Sequence, residues 1–262
     1  MSGRRIGALL LRHLFVWRRN WQSLTELFYW PLVDVLVFGF LSTYLTQRAP
    51  VPFIVGLLLG ALILWDVFFR VQMGITVSFL TEMWSRNLLN LFTSPLSLSE
   101  FLVALMLFGL VKIAVSASLM VAVAWALYRF NLFTLGFALV PLVVAVVLFA
   151  WAVGTLVMGI LLRYGLAAET LAWSLAFLFQ PFGAVFFPMS VYASWLQRVL
   201  WALPLPHVFE GMRAVLRSGQ LPTHHVVWAF GLDLLYLALA FTFFGLMFQS
   251  ALRQGSLLKA HD

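Results

Sequence analysis

Long apolar runs constrain the fold of this chain more than any other feature of its sequence. A helix needs about 20 mostly apolar residues to cross a bilayer. Six runs approach or exceed that length, and they cover residues 28–45, 52–69, 101–128, 132–162, 171–187 and 226–248. None has the alternating hydrophobicity of a membrane β-strand. The sequence therefore predicts an all-α polytopic membrane protein with six transmembrane helices.

Composition supports a lipid environment. The chain has 262 residues, of which 63% are hydrophobic and 10% charged, whereas soluble domains carry about 25% charged residues. Too few charges are present to cover a water-facing surface. There is no cysteine, which excludes disulfides, thiolate metal sites and a thiol nucleophile.

The distribution of arginine predicts the orientation. The chain carries a net charge of +7, which we interpret as the positive-inside bias of a membrane protein rather than as a nucleic-acid-binding surface. Arginines 4, 5, 12, 18 and 19 precede the first run, so the N-terminus is expected in the cytoplasm. Six crossings return the C-terminus there, with Arg253 and Lys259. The group Arg198, Arg213 and Arg217 on the outer side is the exception.

The first 24 residues predict a basic amphipathic helix lying at the inner membrane interface. An apolar stripe recurs at helical spacing, and the arginines lie largely off it; the stripe comprises Ile6, Leu9, Leu10, Leu14, Trp17 and Trp21. Two interpretations remain open. The helix is either a simple anchor or a lever that connects a cytoplasmic partner to the first span.

The inner connection, residues 70–100, is long for a loop. An apolar spacing in it predicts a short amphipathic helix, formed by Phe79, Leu80, Met83, Leu88 and Leu91. Glu82 and Arg86 are four residues apart on its more polar side. Pro95 should end this helix, and Ser97 with Glu100 predicts a capping box that opens the third span.

The outer segment, residues 188–220, predicts a helical hairpin. One short helix has an apolar face containing Trp195, and Pro204 and Pro206 then interrupt the chain. A second short helix is expected from His207 to Arg217. Because the hairpin is too short and too polar to cross twice, we expect it to be re-entrant in the outer leaflet.

The motifs of P-loop ATPases, H-E-x-x-H metalloenzymes and G-x-S-x-G serine hydrolases are missing from the sequence. There is no G-x-x-x-x-G-K-[ST] loop, and lysine occurs only at positions 112 and 259, so the chain is not expected to hydrolyse ATP by itself. No catalytic or metal-ligating residue is assigned. One alternative is a membrane-embedded metalloenzyme, which would use His207, Glu210, His224 and His225 at the outer face.

Four charges lie inside or at the edge of the predicted spans: Asp34, Asp66, Lys112 and Asp233. Such residues should face the protein interior or a water-filled path. We hypothesise that Lys112 pairs with Asp34 or Asp233, either to fix helix packing or to serve transport. These charges also define a second alternative, an ion-coupled transporter or channel.

Two motifs resemble a known family. The inner sequence TEMWSRNLLNLFTSPLSLSEF (81–101) has an acidic residue, an arginine and a Ser-Pro-Leu step, here Glu82, Arg86 and residues 94–96. The outer sequence PFGAVFFPMSVYASWLQRVLWALPLPHVFEGMRAVL (181–216) has a glycine, an aromatic-proline step, a short helix, a Pro-Leu step and an arginine. With the predicted layout, this resembles the permease subunit of a type-2 ATP-binding-cassette exporter, the fold shared with the human G-subfamily transporters.

The resemblance carries several expectations. The whole chain, 1–262, would be one permease domain of a homodimer, in contact with membrane lipid and without nucleic acid. Each copy would dock a separate ATPase subunit that binds ATP and Mg²⁺. The coupling residues would be Glu82, Met83, Trp84, Arg86, Asn87 and Leu88, and the hairpin capping the path would include Pro188, Trp195, Pro204, His207, Glu210 and Arg213. The substrate would be a lipid, glycolipid, drug-like or other amphipathic molecule, exported across a bacterial inner membrane.

Overall fold

A computed structural model describes residues 1–48 and 54–254. Within these residues the chain forms ten α-helices and three short 3-10 helices, and no strand. The α-helices are α1 (Gly3–Arg19), α2 (Trp21–Arg48), α3 (Ile54–Trp84), α4 (Leu88–Thr93), α5 (Leu98–Tyr128), α6 (Leu139–Tyr164), α7 (Glu169–Phe182), α8 (Ser194–Trp201), α9 (Pro204–Ser218) and α10 (Thr223–Gln254). The 3-10 helices are Leu132–Ala138, Gly165–Ala168 and Met189–Val191.

Five helical stretches of the described chain are long and apolar enough to cross a membrane. They are Phe28–Arg48, Ile54–Trp84, Leu98–Tyr128, Leu132–Phe182 and Thr223–Arg253. The fourth joins α6 and α7, which were predicted as separate spans. At 14 residues, α7 is about 21 Å long, less than the 30 Å or so of a hydrocarbon core. The count of six crossings stays a prediction. Pro52, the predicted start of the second span, and Lys259 lie outside the described residues.

Helix α3 is the centre of the bundle, and small residues allow it to pack closely. A Cβ atom built on Gly74 would lie 3.1 Å from the Cα atom of Gly109 in α5, and one built on Gly154 in α6 would lie 3.3 Å from the backbone oxygen of Gln72. The backbones of α5 and α6 therefore approach α3 directly. Helix α10 packs along α6, with the Phe243 ring against Gly159.

The connections between the helices gather at two ends of the bundle. One end, here called the α1 end, holds α1, residues 85–97 and residues 165–168, and a hydrogen bond from Trp84 Nε1 to Glu169 Oε2 links two of its elements at 3.3 Å. The other, here called the hairpin end, holds residues 131–138, 183–203 and 219–222.

The prediction of one short amphipathic helix that includes both Phe79 and Leu91 is wrong. Helix α3 continues without interruption to Trp84, and Arg86, with φ at 54°, turns the chain before the six residues of α4. Phe79 is apolar because it belongs to the bundle core, where its ring packs against Phe101 and Phe244, and not because it faces a membrane surface. The connection is therefore residues 85–97.

Two local signals in that connection are confirmed. Ser94, before Pro95, is extended with ψ at 164°, which is the conformation that a following proline favours. The predicted capping box is present, because Ser97 accepts from the Glu100 N–H and the Glu100 side chain accepts from the Ser97 N–H.

At the hairpin end, the two predicted short helices are present as α8 and α9. Helix α9 begins at Pro204 rather than His207, because proline fits the first turn of a helix, where its missing N–H costs nothing. Helix α7 ends at Phe182, so residues 183–187 of the predicted span are not helical. Re-entry of the hairpin into the membrane stays a prediction.

Candidate functional site

Glu82 connects three elements at the α1 end. Its side chain is buried, with 1% of the residue exposed. Arg12 of α1 contacts both carboxylate oxygens, at 2.9 Å and 3.0 Å, and Asn87 Nδ2 donates to the carboxylate at 2.7 Å. One of the two arginine contacts is a charge-assisted hydrogen bond, which is stronger than a hydrogen bond between neutral groups. Glu82 therefore joins α1 to the end of α3 and to the turn before α4.

His13 lies beside this ion pair on the buried side of α1. Its Nε2 is 3.8 Å from Glu82 Oε1, and its ring stacks on Phe108 of α5 with centroids 5.5 Å apart. Burial lowers the pKa of His13 to about 4, although Glu82 acts in the opposite direction. The imidazole is therefore neutral near pH 7, so the charged groups at this position are the Glu82 carboxylate and the Arg12 guanidinium.

Glu100 provides a second attachment for α1. It accepts hydrogen bonds from the Ser2 N–H at 2.6 Å and the Ser97 N–H at 3.0 Å, and Arg5 approaches its carboxylate at 3.5 Å. Arg5 also donates to the Pro95 carbonyl. Helix α1 thus holds residues 85–97 at both ends, with Glu82 on one side and Glu100 on the other.

The six residues predicted to couple to a partner divide into three classes. Met83 and Leu88 are buried, Glu82 and Asn87 hold the turn, and Trp84 and Arg86 are exposed. The exposed residues of the connection, together with Trp84 at the end of α3, are here called the coupling surface: Trp84, Ser85, Arg86, Asn90, Thr93, Ser94, Pro95 and Ser97.

Sequence reasoning missed the partners of Glu82. Arg12 and His13 are about 70 residues away in the chain, and no local pattern links them to Glu82. One signal was available for His13, which lies four residues from both Leu9 and Trp17. A histidine on the apolar stripe of an amphipathic helix needs a polar partner if it is buried.

A cavity of about 520 Å³ opens between α2, α3, α5 and α7, close to Trp17 of α1. Seven of its sixteen lining residues are aromatic, four tryptophans and three phenylalanines: Trp17, Trp30, Trp65, Trp173, Phe38, Phe69 and Phe177. Four charged side chains also line it: Asp34, Asp66, Arg70 and Lys112. The cavity is large enough for a drug-sized ligand.

The charged side chains lie along the polar part of this wall. Arg70 Nε is 2.8 Å from the Asp66 carboxylate, and the Ser116 hydroxyl donates to the same group at 3.0 Å. Lys112 Nζ lies 4.7 Å from the centre of the Phe108 ring. Two acids and two bases thus face one space, and the structure brings together three of the four predicted intramembrane charges.

Asp233 is the fourth predicted charge, and it lies apart from the cavity. It is fully buried in α10, and neither carboxylate oxygen has a hydrogen-bond partner among residues 1–48 and 54–254. The hypothesised Lys112–Asp233 pair is therefore not formed. A pair between Lys112 and Asp34 stays a prediction.

At the hairpin end, Arg213 stabilises the turn that follows α7. Its guanidinium, with 1% of the residue exposed, donates to the carbonyls of Ala184 at 2.6 Å and Val185 at 3.1 Å and to Glu210 at 3.3 Å. Glu210 also accepts from the Met189 N–H at 2.7 Å. Burial lowers the pKa of Arg213, and Glu210 opposes that shift. Arg213 and Glu210 therefore hold α9 against residues 184–189.

The other predicted hairpin residues have separate positions. Pro188 precedes a 3-10 turn, Trp195 is exposed on α8, and Pro204 opens α9. Buried His207 has Nε2 3.0 Å from the Trp201 carbonyl and Nδ1 3.2 Å from His225 Nδ1. Since a carbonyl only accepts, neutral His207 donates through Nε2 and accepts at Nδ1.

This histidine pair joins α9 to α10. Burial lowers the pKa of His207, which favours the neutral, hydrogen-bonded form. His224, the third histidine of the metalloenzyme alternative, lies beside His225 with ring centroids 4.1 Å apart. Across the described ranges, no group of three or more His, Asp or Glu side chains is arranged to hold a metal ion.

Comparison with known proteins gives one result. A family model described as ABC-2 type transporter matches residues 4–216. The matched region begins in α1 and ends in α9, so it contains α1, the coupling surface and the aromatic cavity. No curated protein matches the chain.

Proposed function

This chain belongs to the ABC-2 type transporter family, so it is the membrane component of an ABC transporter, and we propose that it is the permease subunit of an exporter for amphipathic molecules. Membership of that family implies a partnership with an ATP-binding cassette subunit, since the membrane domain is not itself an ATPase. The finer proposals are the docking surface, the substrate path, the homodimer and the direction of transport.

The bracing of residues 85–97 is the observation that carries the docking proposal. A partner that pushes on a flexible loop moves only the loop, whereas this connection is fixed by Glu82 and Glu100 to α1, α3 and α5. Movement of the coupling surface would therefore be passed to two spanning helices. We place ATPase docking at this surface, with Trp84 and Arg86 as its exposed contacts.

The aromatic cavity supports an amphipathic substrate. Tryptophan and phenylalanine rings bind apolar or ring-shaped groups, while Asp34, Asp66, Arg70 and Lys112 offer both charge signs to a polar head. A lipid, a glycolipid or a drug-like molecule has both parts. We place the substrate path in this cavity.

Two copies of the chain would complete the path. Trp30 of α2 and Phe177 of α7 line the cavity, and both are large apolar side chains that are more than half exposed. A second copy facing these helices would cover them. The arginine-rich α1 supports a cytoplasmic α1 end, with the ATPase inside the cell and transport directed outward across a bacterial inner membrane.

Reconstitution with an ATPase tests this function. We would purify the tagged chain with a candidate cassette subunit, measure complex formation, and then measure ATP hydrolysis and transport of a fluorescent lipid in proteoliposomes. We expect a stable complex whose transport needs ATP. The variant W84A/R86E should lose the complex, and the control W195A/R198E, which changes exposed residues at the hairpin end, should keep it.

Two results would contradict the proposal. Complex formation unaffected by W84A/R86E would remove the coupling surface from the docking site. Transport by the chain without any ATPase, driven by a proton or sodium gradient, would favour the ion-coupled alternative.

A further inference from the structure

Part of the apolar stripe of α1, which was predicted to lie in the membrane interface, packs against the rest of the chain. Its apolar stripe packs against α5, where Leu9 is buried, His13 stacks on Phe108 and Trp17 contacts the same ring. The chain therefore covers Leu9 and part of Trp17, whereas Trp21, the last residue of the predicted stripe, is 80% exposed. The opposite side of the helix faces outward.

This outward face has an apolar centre and basic ends. At 100° per residue, Arg4, Leu11, Phe15 and Arg18 lie within about 60° of one another around the helix. Leu11 is 55% exposed and Phe15 is 64% exposed. Arg19, which is also exposed, lies at the edge of the same face. Exposed apolar side chains between arginines are typical of helices that bind a membrane surface.

The charge on this face has no internal counterpart. Residues 1–25 contain no aspartate or glutamate. Arg5 and Arg12 contact Glu100 and Glu82, while Arg4, Arg18 and Arg19 form no ion pair with any residue of the described ranges. Three positive charges are therefore available to an anionic ligand.

The position of the face favours a bilayer as that ligand. Only Asn20 separates α1 from α2, whose described span begins at Phe28, so α1 lies where the chain enters the membrane. A soluble partner would need to avoid the headgroups to reach Leu11 and Phe15. An anionic leaflet offers both acyl chains and phosphate groups at this depth.

We propose that the outward face of α1 binds anionic phospholipid headgroups and thereby fixes the arrangement of residues 85–97. The lipid would contact the face of Arg4, Leu11, Phe15, Arg18 and Arg19, while the inner side of α1 holds Glu82 and Glu100. Anionic lipid would then increase ATP-driven transport. This consequence, unlike the binding itself, rests on the proposed function.

Lipid binding is tested first, on the full chain without an ATPase. The chain is reconstituted in nanodiscs of phosphatidylcholine with and without phosphatidylglycerol, and native mass spectrometry measures the ratio of the two lipids retained. We expect R4Q/R18Q/R19Q to weaken phosphatidylglycerol retention by about fivefold for each arginine replaced, since one arginine near an anionic surface contributes about 1 kcal/mol.

The charge-matched control R48Q/R129Q/R198Q, at the hairpin end, should retain phosphatidylglycerol as the unmodified chain does. Equal retention by the triple variant and the unmodified chain, or equal loss in the control, overturns the proposal.

The effect on transport is tested second, in the complex with the ATPase. Phosphatidylglycerol should stimulate ATP hydrolysis of the unmodified chain and of the control, and should not stimulate R4Q/R18Q/R19Q. If the triple variant instead fails to capture the ATPase in neutral detergent, the face is a protein-docking surface and the proposal is wrong. If the unmodified chain captures no ATPase, the proposed function fails while the lipid measurement still decides lipid binding.

Discussion

Glu82 has a structural role that its neighbours in sequence do not suggest. Its carboxylate is buried and meets a guanidinium from one helix and an amide from the following turn. Buried carboxylates are expensive unless each oxygen is satisfied. Here one oxygen accepts two hydrogen bonds and the other lies 2.9 Å from the Arg12 guanidinium, so the group stabilises the junction that it occupies.

We predict that E82Q destabilises the chain. The variant keeps the shape of the side chain but removes the charge that Arg12 contacts, and a charged hydrogen bond of this kind contributes about 1.5–3 kcal/mol. The free energy of unfolding, measured by a denaturing-detergent titration, should fall by that amount. The control is E169Q, whose carboxylate is partly exposed and accepts one bond, from Trp84 at 3.3 Å. A smaller loss for E82Q than for E169Q would contradict this account.

His13 makes a predictable contribution to pH dependence. Its pKa is about 4 in the folded chain against 6.5 when unperturbed, so the unfolded chain takes up a proton first as pH falls. Its contribution is constant above pH 6.5, and stability is lost progressively from 6.5 down to about 4. Between about pH 6.5 and 5 this amounts to about 2 kcal/mol. H13Q should reduce the pH dependence of unfolding by that amount, and an unchanged slope in H13Q would refute it.

At the scale of elements, the packing of α3 depends on glycines in its neighbours. A Cβ atom on Gly109 would lie 3.3 Å from the Val71 carbonyl oxygen, and a backbone atom cannot rotate away as a side chain can. Overpacking of this kind costs about 1–3 kcal/mol. We predict that G109V lowers the thermal unfolding midpoint in detergent. The control is G231V, because a Cβ atom added at Gly231 would meet no heavy atom within 4 Å. If G231V lowers the midpoint as far as G109V does, helix propensity alone causes the loss.

The elements also show how far sequence reasoning reaches. Apolar length predicted the long helices, and the capping box at Ser97 was readable because both partners lie within four residues. The end of α3 was missed, since Phe79 and Met83 fit an interfacial helix as well as a buried one. The left-handed conformation of Arg86 could not be predicted from the sequence, because arginine rarely adopts it. The aromatic cavity needed tertiary structure, because its walls come from helices far apart in the chain.

At the scale of the whole molecule, the exposed apolar side chains of the cavity wall lead to a prediction about assembly. The sequence has no cysteine, so a single introduced thiol is the only reactive one. Phe177, which lines the cavity, is 54% exposed, and Leu235 on α10 is 53% exposed. We predict that F177C forms a covalent dimer with a short bis-maleimide in membranes, because two copies should meet along α2 and α7. L235C should stay monomeric, and a dimer from L235C but not from F177C would place the interface at α10 instead.

The ion pair within α3 has a consequence for biogenesis. Asp66 and Arg70 are one turn apart and in contact, so they can neutralise each other as soon as that single helix has formed. Isolated charges are costly at the moment a segment leaves the insertion channel for lipid, before α5, whose Ser116 also donates to Asp66, has been made. Helix α3, the most buried of the five spans among the described residues, can therefore partition into the bilayer early, with its counter-ion already in place, and act as the template on which later segments assemble.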